Sequence, residues 1–109
     1  MAPKLFTIKK RSTFVIIRDQ GKFIKGKNIN IQILYNQNLE KSIGVGYTAS
    51  KKIGNAVKRN RAKRIMRELA RKIIIKGKIN SYYVLIAKSS LLDETFNNLI
   101  TELEEKIND

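Results

Sequence analysis

In "NINIQILY" (28–35), Ile29, Ile31 and Ile33 alternate with Asn30, Gln32 and Leu34, and this period of two predicts a half-buried strand. "IGVGYTAS" (43–50) reads as a second strand, with Gly44 and Gly46 on one face, where something can approach the backbone closely. "YYVLIA" (82–87) is a nearly continuous apolar run suited to a buried central strand. "GKFIKGK" (21–27) reads as a short paired strand or a turn, and "YNQNLEKS" (35–42) as a polar loop.

The period changes between about Asn55 and Ile75, where Ala62, Ile65, Met66, Leu69 and Ile73 make one helical stripe that "KGKINS" ends. Phe96, Leu99, Ile100, Leu103 and Ile107 make the stripe of a last helix, with Asp93 as its expected N-cap. Residues 13–19 are ambiguous. Ser12 as N-cap and Gly21 as a stop favour a helix, whereas the β-branched run Val15-Ile16-Ile17 favours a strand. The single proline, Pro3, falls in an N-terminal arm, and no internal repeat divides the chain, so residues 1–109 read as one domain.

Composition narrows the function. Apolar residues make up 42% of the chain, too many for a disordered basic tail. There is no cysteine and no histidine, which removes disulfides, thiolate metal sites and the commonest general base. Against 9 Asp and Glu stand 23 Lys and Arg, a formal charge of +14. Such an excess repels itself, and a polyanionic partner relieves the repulsion. No apolar run approaches the roughly 20 residues that span a bilayer. The start "MAPKLFTIKKR" lacks the apolar stretch of a secretory signal, so the expectation is a soluble cytoplasmic protein with no membrane partner. The acids gather at the other end: Asp93, Glu94, Glu102, Glu104, Glu105 and Asp109 lie on or near the last helix, expected to face away from a polyanion.

The cations concentrate in "KRNRAKRIMRE" (58–68). On the helix wheel Asn60, Lys63, Arg64, Arg67 and Arg71 lie opposite the apolar stripe, flanked by Arg61 and Glu68. Like charges four residues apart weaken a helix by about 0.2–0.5 kcal/mol per pair, so function rather than stability sets this face. Arginine gives two-pronged contacts to phosphate and stacks on bases. Upstream, "SKKIGNA" (50–56) brings Ser50, Lys51 and Lys52 to a strand end, with Gly54 for a tight turn and Asn55 as a cap. Phe14, Phe23, Tyr82 and Tyr83 are of the kind that more often fills a core than stacks on bases. The reading that fits best is nucleic-acid binding.

"SKKIGNAVKRNRAKRIMRE" (50–68) closely resembles the signature of the bacterial ribonuclease P protein family: Ser-Lys-Lys at a strand end, a Gly-Asn-Ala-Val turn, then Arg-Asn-Arg, Lys-Arg and Arg-Glu along a helix. "LFTIKKRSTFVIIRDQGK" (5–22) and "YYVLIAKSS" (82–90) resemble the family's opening and its last strand. The resemblance implies an α+β fold: a small two-layer sandwich of order αβββαβα, akin to a domain of a small-subunit ribosomal protein. Its four-stranded sheet would have a left-handed crossover between the strands at 43–50 and 82–87, and residues 13–19 would be helical.

It also implies a chemistry carried by a catalytic RNA subunit, which uses Mg2+ to hydrolyse precursor tRNA and release the 5′ leader. The protein would bind that RNA 1:1. By motif the docking set is Lys51, Lys52, Asn55, Arg59, Asn60, Arg61, Lys63, Arg64 and Arg67. A cleft for the single-stranded leader would be formed by Phe14, Ile17, Asn30 and Gln32. Many family members carry a second aromatic one turn after the first; here that position is Arg18, which implies weaker or more electrostatic stacking. Two other readings compete. One is a structural RNA-binding protein of ribosomal type. The other is a protein-only nuclease, which needs clustered carboxylates for metals near the basic face.

Overall fold

The computed structural model describes residues 2–108, so Asp109 of the acidic tail lies outside the described residues. In chain order the elements are β1 (Leu5–Thr7), α1 (Arg11–Gln20), β2 (Lys22–Ile24), β3 (Ile29–Leu34), β4 (Ile43–Thr48), α2 (Ala56–Lys72), β5 (Ser81–Ala87) and α3 (Phe96–Ile107). Short 3-10 turns at Lys51–Ile53, Ile74–Lys76 and Ser89–Asp93 join them. One mixed sheet has the order β1-β4-β5-β3-β2. It has five strands, not the expected four. The additional strand is β1, which runs parallel to β4 with Leu5 opposite Ile43 and Thr7 opposite Val45. Three residues are too few to show a period; the unpaired edge of β4 makes them a strand, through bonds such as Ile8 N–H to the Val45 carbonyl at 2.8 Å.

The alternation in β3 is borne out. Ile29, Ile31 and Ile33 are at most 1% exposed and belong to one core with Val45, Tyr83 and Leu85. Helices α2 and α3 close that core from one side of the sheet, through Ala62, Met66, Leu69 and Ile73, then Leu99 and Leu103. Ala70 joins them, while Ile65 lies at the half-buried edge of the stripe. The acidic helix therefore packs in the same layer as the basic one, not at a distance from it.

Helix α1 packs on the opposite face. Its Ile17 is fully buried against Val84 and Ile8, with Phe14, Leu34, Tyr82 and Ile86 around them. Burying Phe14 and Ile17, one turn apart, outweighs the strand preference of Val15-Ile16-Ile17, and Ile16 is left 45% exposed. Two caps differ from expectation. Ser12 lies inside α1, which starts at Arg11 after Lys10 without a side-chain cap. Asp93 falls in the 3-10 turn pinned by the buried Leu91, and Thr95 caps α3 instead, accepting the Asn98 N–H at 3.2 Å. Because α1 covers only part of its face, a strip of sheet beside it stays open.

Candidate nucleic-acid interface

The segment that starts α2 is built by its own side chains. Ser50 Oγ accepts the Lys52 N–H at 3.3 Å and opens the 3-10 turn. Gly54 follows at φ 139°, a conformation that residues with a Cβ rarely adopt. Asn55 Oδ1 accepts the Lys58 N–H at 3.0 Å, which is the expected cap. The Arg59 guanidinium donates back to the Gly54 carbonyl at 3.2 Å. Asn55 and Arg59, both assigned to RNA docking, thus also aim the helix.

Beyond this corner the ridge is as the wheel reading describes. Asn60, Arg61, Arg64 and Arg67 are exposed and Lys63 is half-buried. Arg61, Arg64 and Arg67 form no ion pair with any described residue, whereas Arg71 is paired with Glu68. Arg67 lies 6.0 Å from the centre of the Tyr47 ring. Burial pushes the Tyr47 hydroxyl up from its ordinary range, against the pull of Arg67 and Arg71, so it stays a neutral donor beside the two guanidinia.

The open strip on the other face is a groove. Its floor follows from the register: Thr48 pairs with Ile86 and Ile86 with Asn30, while in the next row Gly46 pairs with Val84 and Val84 with Gln32. The Phe14 ring occupies the space that a Cβ on Gly46 would need, and the Tyr82 and Phe6 rings do the same at Gly44. The close approach expected at these glycines is thus made by the chain's own aromatics. A concavity of about 290 Å³ lies between α1 and the floor, with Arg11 and Arg18 on the helix side. A second, of about 330 Å³, continues it past Asn30 to Ser50, Lys52 and Lys88.

Three of the four cleft candidates line these hollows: Phe14, Asn30 and Gln32. The Asn30 side-chain oxygen is held by the Gly26 N–H at 3.0 Å, which leaves its NH2 group as a donor. Ile17 is the exception. It is 0% exposed and seats α1 on the sheet, so it offers no surface to a ligand. Lys52, assigned to the helix surface, lines the groove, while Lys51 is exposed beside it. Arg11, Thr48, Ile86 and Lys88 line the groove without a prior signal, because the strand register and the seating of α1 on the sheet bring them together.

Two of the acids, Glu94 and Glu102, do structural work in the layer that α3 shares with the basic helix. Glu102 accepts the backbone N–H groups of Asn28 and Ile29 at 2.9 and 3.1 Å and the Asn28 side-chain amide at 2.8 Å. Glu94 accepts the Asn98 amide at 2.9 Å and the Thr95 N–H at 3.0 Å, which hold its carboxyl below the usual carboxylate range.

A fold with a cationic helix ridge on one layer and a basic, polar-floored groove on the other has close relatives. The family model described as Ribonuclease P matches residues 2–109. The "Ribonuclease P protein component" of Symbiobacterium thermophilum is 33% identical over 102 residues, covering 94% of this chain and 88% of that protein. That of Gluconacetobacter diazotrophicus is 30% identical over 108 residues, covering 98% and 92%. The solved RNase P protein of Staphylococcus aureus superposes with a TM-score of 0.81 at 26% identity, over 94% of this chain and 93% of that one. The protein from Thermotoga maritima shares the fold, with a TM-score of 0.79 at 20% identity over 94% of each chain. The chain belongs to the bacterial ribonuclease P protein family, the protein subunits of the endoribonuclease that removes the 5′ leader of precursor tRNA.

Proposed function

We propose that the chain serves this enzyme through two separate surfaces, the α2 ridge holding the catalytic RNA and the groove beside α1 holding the leader. What carries the reading is the contrast between them. The ridge presents exposed, unpaired arginines on a rigid helix, suited to phosphates of a folded RNA. The groove is floored by Asn30, Gln32 and Ile86, walled by Phe14 and rimmed by Arg11, Arg18, Lys52 and Lys88, suited to an unpaired strand. Holding the leader positions the scissile bond on the RNA, and the protein supplies no group to the bond-breaking step.

Family membership implies a magnesium-dependent holoenzyme. The described acids do not fit as a magnesium cage. Glu94 and Glu102, which meet at Asn28, have their oxygens engaged by amide donors, and no group of three or more potential metal-binding side chains occurs among the described residues. We assign the magnesium to the RNA. On the same reading the whole chain, 1–109, acts as one RNA-binding domain, 1:1 with its RNA, in the cytoplasm. No helix among the described residues is long and apolar enough to cross a membrane. The family likeness also supports a left-handed sense for the β4–α2–β5 crossover.

The test of the ridge is salt dependence. Removing two phosphate contacts in an Arg61→Ala/Arg64→Ala variant lowers the slope of log affinity against log salt for a bacterial ribonuclease P RNA by about 2. An unchanged slope would place the docking surface elsewhere.

A further inference from the structure

Phe23 stands out on the surface: an aromatic ring 57% exposed on the edge strand β2, where the composition suggested a core residue. A single exposed apolar side chain is ordinary; its position in the sheet is what matters. Phe23 lies directly opposite Gln32 in the antiparallel β2–β3 pair. Residues opposite one another project to the same face, with Cβ atoms about 4.5–5.5 Å apart. Its neighbour Ile24, opposite Ile31, packs into the core on the other face, which confirms the assignment. Phe23, Gln32, Val84 and Gly46 therefore form one row across the sheet on the groove side, and the Phe14 ring sits over the Gly46 end.

We propose that Phe23 is a second base-stacking platform of the leader groove, taking an unpaired leader nucleotide at the sheet edge and supplying the aromatic that Arg18 does not. The inference rests on the groove reading above and extends it. Three strand spacings of about 4.8 Å separate the two ends of the row, about 14 Å in all. That is several times the roughly 3.4 Å between stacked bases, so Phe14 and Phe23 hold different nucleotides. Gln32 between them offers a donor and an acceptor to a base edge. Arg18 on the groove wall donates its Nε–H to Asp19 at 3.2 Å and keeps its terminal N–H groups for the intervening phosphates. The occupant is single-stranded RNA: the groove's rim is cationic and its floor is interrupted by amides, which an apolar protein segment would leave unpaired.

The experiment uses the reconstituted holoenzyme with precursor tRNAs bearing either a ten-nucleotide or a one-nucleotide leader. Phe23→Ala is expected to lower kcat/KM about tenfold on the long leader, mostly through KM, and to leave the short-leader substrate unchanged. The chain has no tryptophan, so Phe23→Trp adds a single reporter. Its emission is expected to be quenched by leader-bearing precursor and not by mature tRNA, with activity retained. Phe14→Leu, which keeps an apolar side chain against the sheet while removing the other aromatic platform, is the control. If Phe14→Leu weakens the long-leader substrate and Phe23→Ala does not, this inference is overturned and the groove reading stands. If neither variant responds to leader length, both fall. A loss with Phe23→Ala that is equal on the two substrates overturns the stacking role.

Discussion

At the residue scale, Gly54 and Asn55 set the direction of the basic helix. The φ of 139° at Gly54 lies outside the range comfortable for any residue with a Cβ, and an added Cβ would stand 2.7 Å from Lys58 Cδ. Gly54→Ala is expected to lower stability by about 1–3 kcal/mol in urea unfolding and to weaken affinity for the RNA subunit as well. Both residues were readable from "SKKIGNA", because glycine and asparagine at a helix start have local physical reasons to be there. Phe23 was not, since its exposure depends on which strand lies beside it. A pH effect belongs to this scale too. Glu94 has its carboxyl pKa depressed by the Asn98 amide and the Thr95 N–H. Its stabilising contribution is therefore present above the ordinary carboxylate range and lost as pH falls through the depressed value. The thermal midpoint should fall across that acid window in the wild type, and less steeply in Glu94→Gln. Parallel slopes would remove Glu94 from the account.

Elements are held in register by contacts distant in sequence. Glu102 of α3 receives three N–H donors from Asn28 and Ile29 and so ties the last helix to the start of β3, the strand that carries Asn30 and Gln32. Asn28 is 2% exposed, so Glu102→Ala leaves buried donors without an acceptor. The expected loss is about 2–3 kcal/mol in urea unfolding, with Glu102→Gln retaining part of it. A loss within 0.5 kcal/mol, the range of an ordinary surface substitution, would show the tie to be dispensable. The helix stripes and the alternation in β3 were legible because periodicity is a local property. β1 and the start of α3 were not. A three-residue strand exists only through β4, and the cap moved from Asp93 to Thr95 because buried Leu91 extends the preceding turn. The helical state of residues 13–19 came from family resemblance, and its physical cause is the seat that Ile17 and Phe14 find on the sheet.

Across the whole molecule, the sheet separates two cationic surfaces. The layer of α2 and α3 buries the main core and carries the ridge, while α1 on the other face leaves the groove open. A net charge of +14 signalled a polyanion but not that the cations would be spread over both faces of the sheet, because charge count carries no geometry. The most direct test of this division is cleavage by holoenzyme reconstituted at low magnesium. Wild type, Arg61→Ala/Arg64→Ala and Phe14→Leu would be titrated against a fixed amount of RNA subunit, on precursors with long and one-nucleotide leaders. The account predicts that the ridge variant needs about tenfold more protein yet reaches the wild-type rate on both substrates at saturation. The groove variant should assemble at wild-type concentration and lose efficiency only on the long leader. A ridge variant that assembles normally, or two variants with the same dependence on leader length, would contradict the assignment of separate roles to the two surfaces.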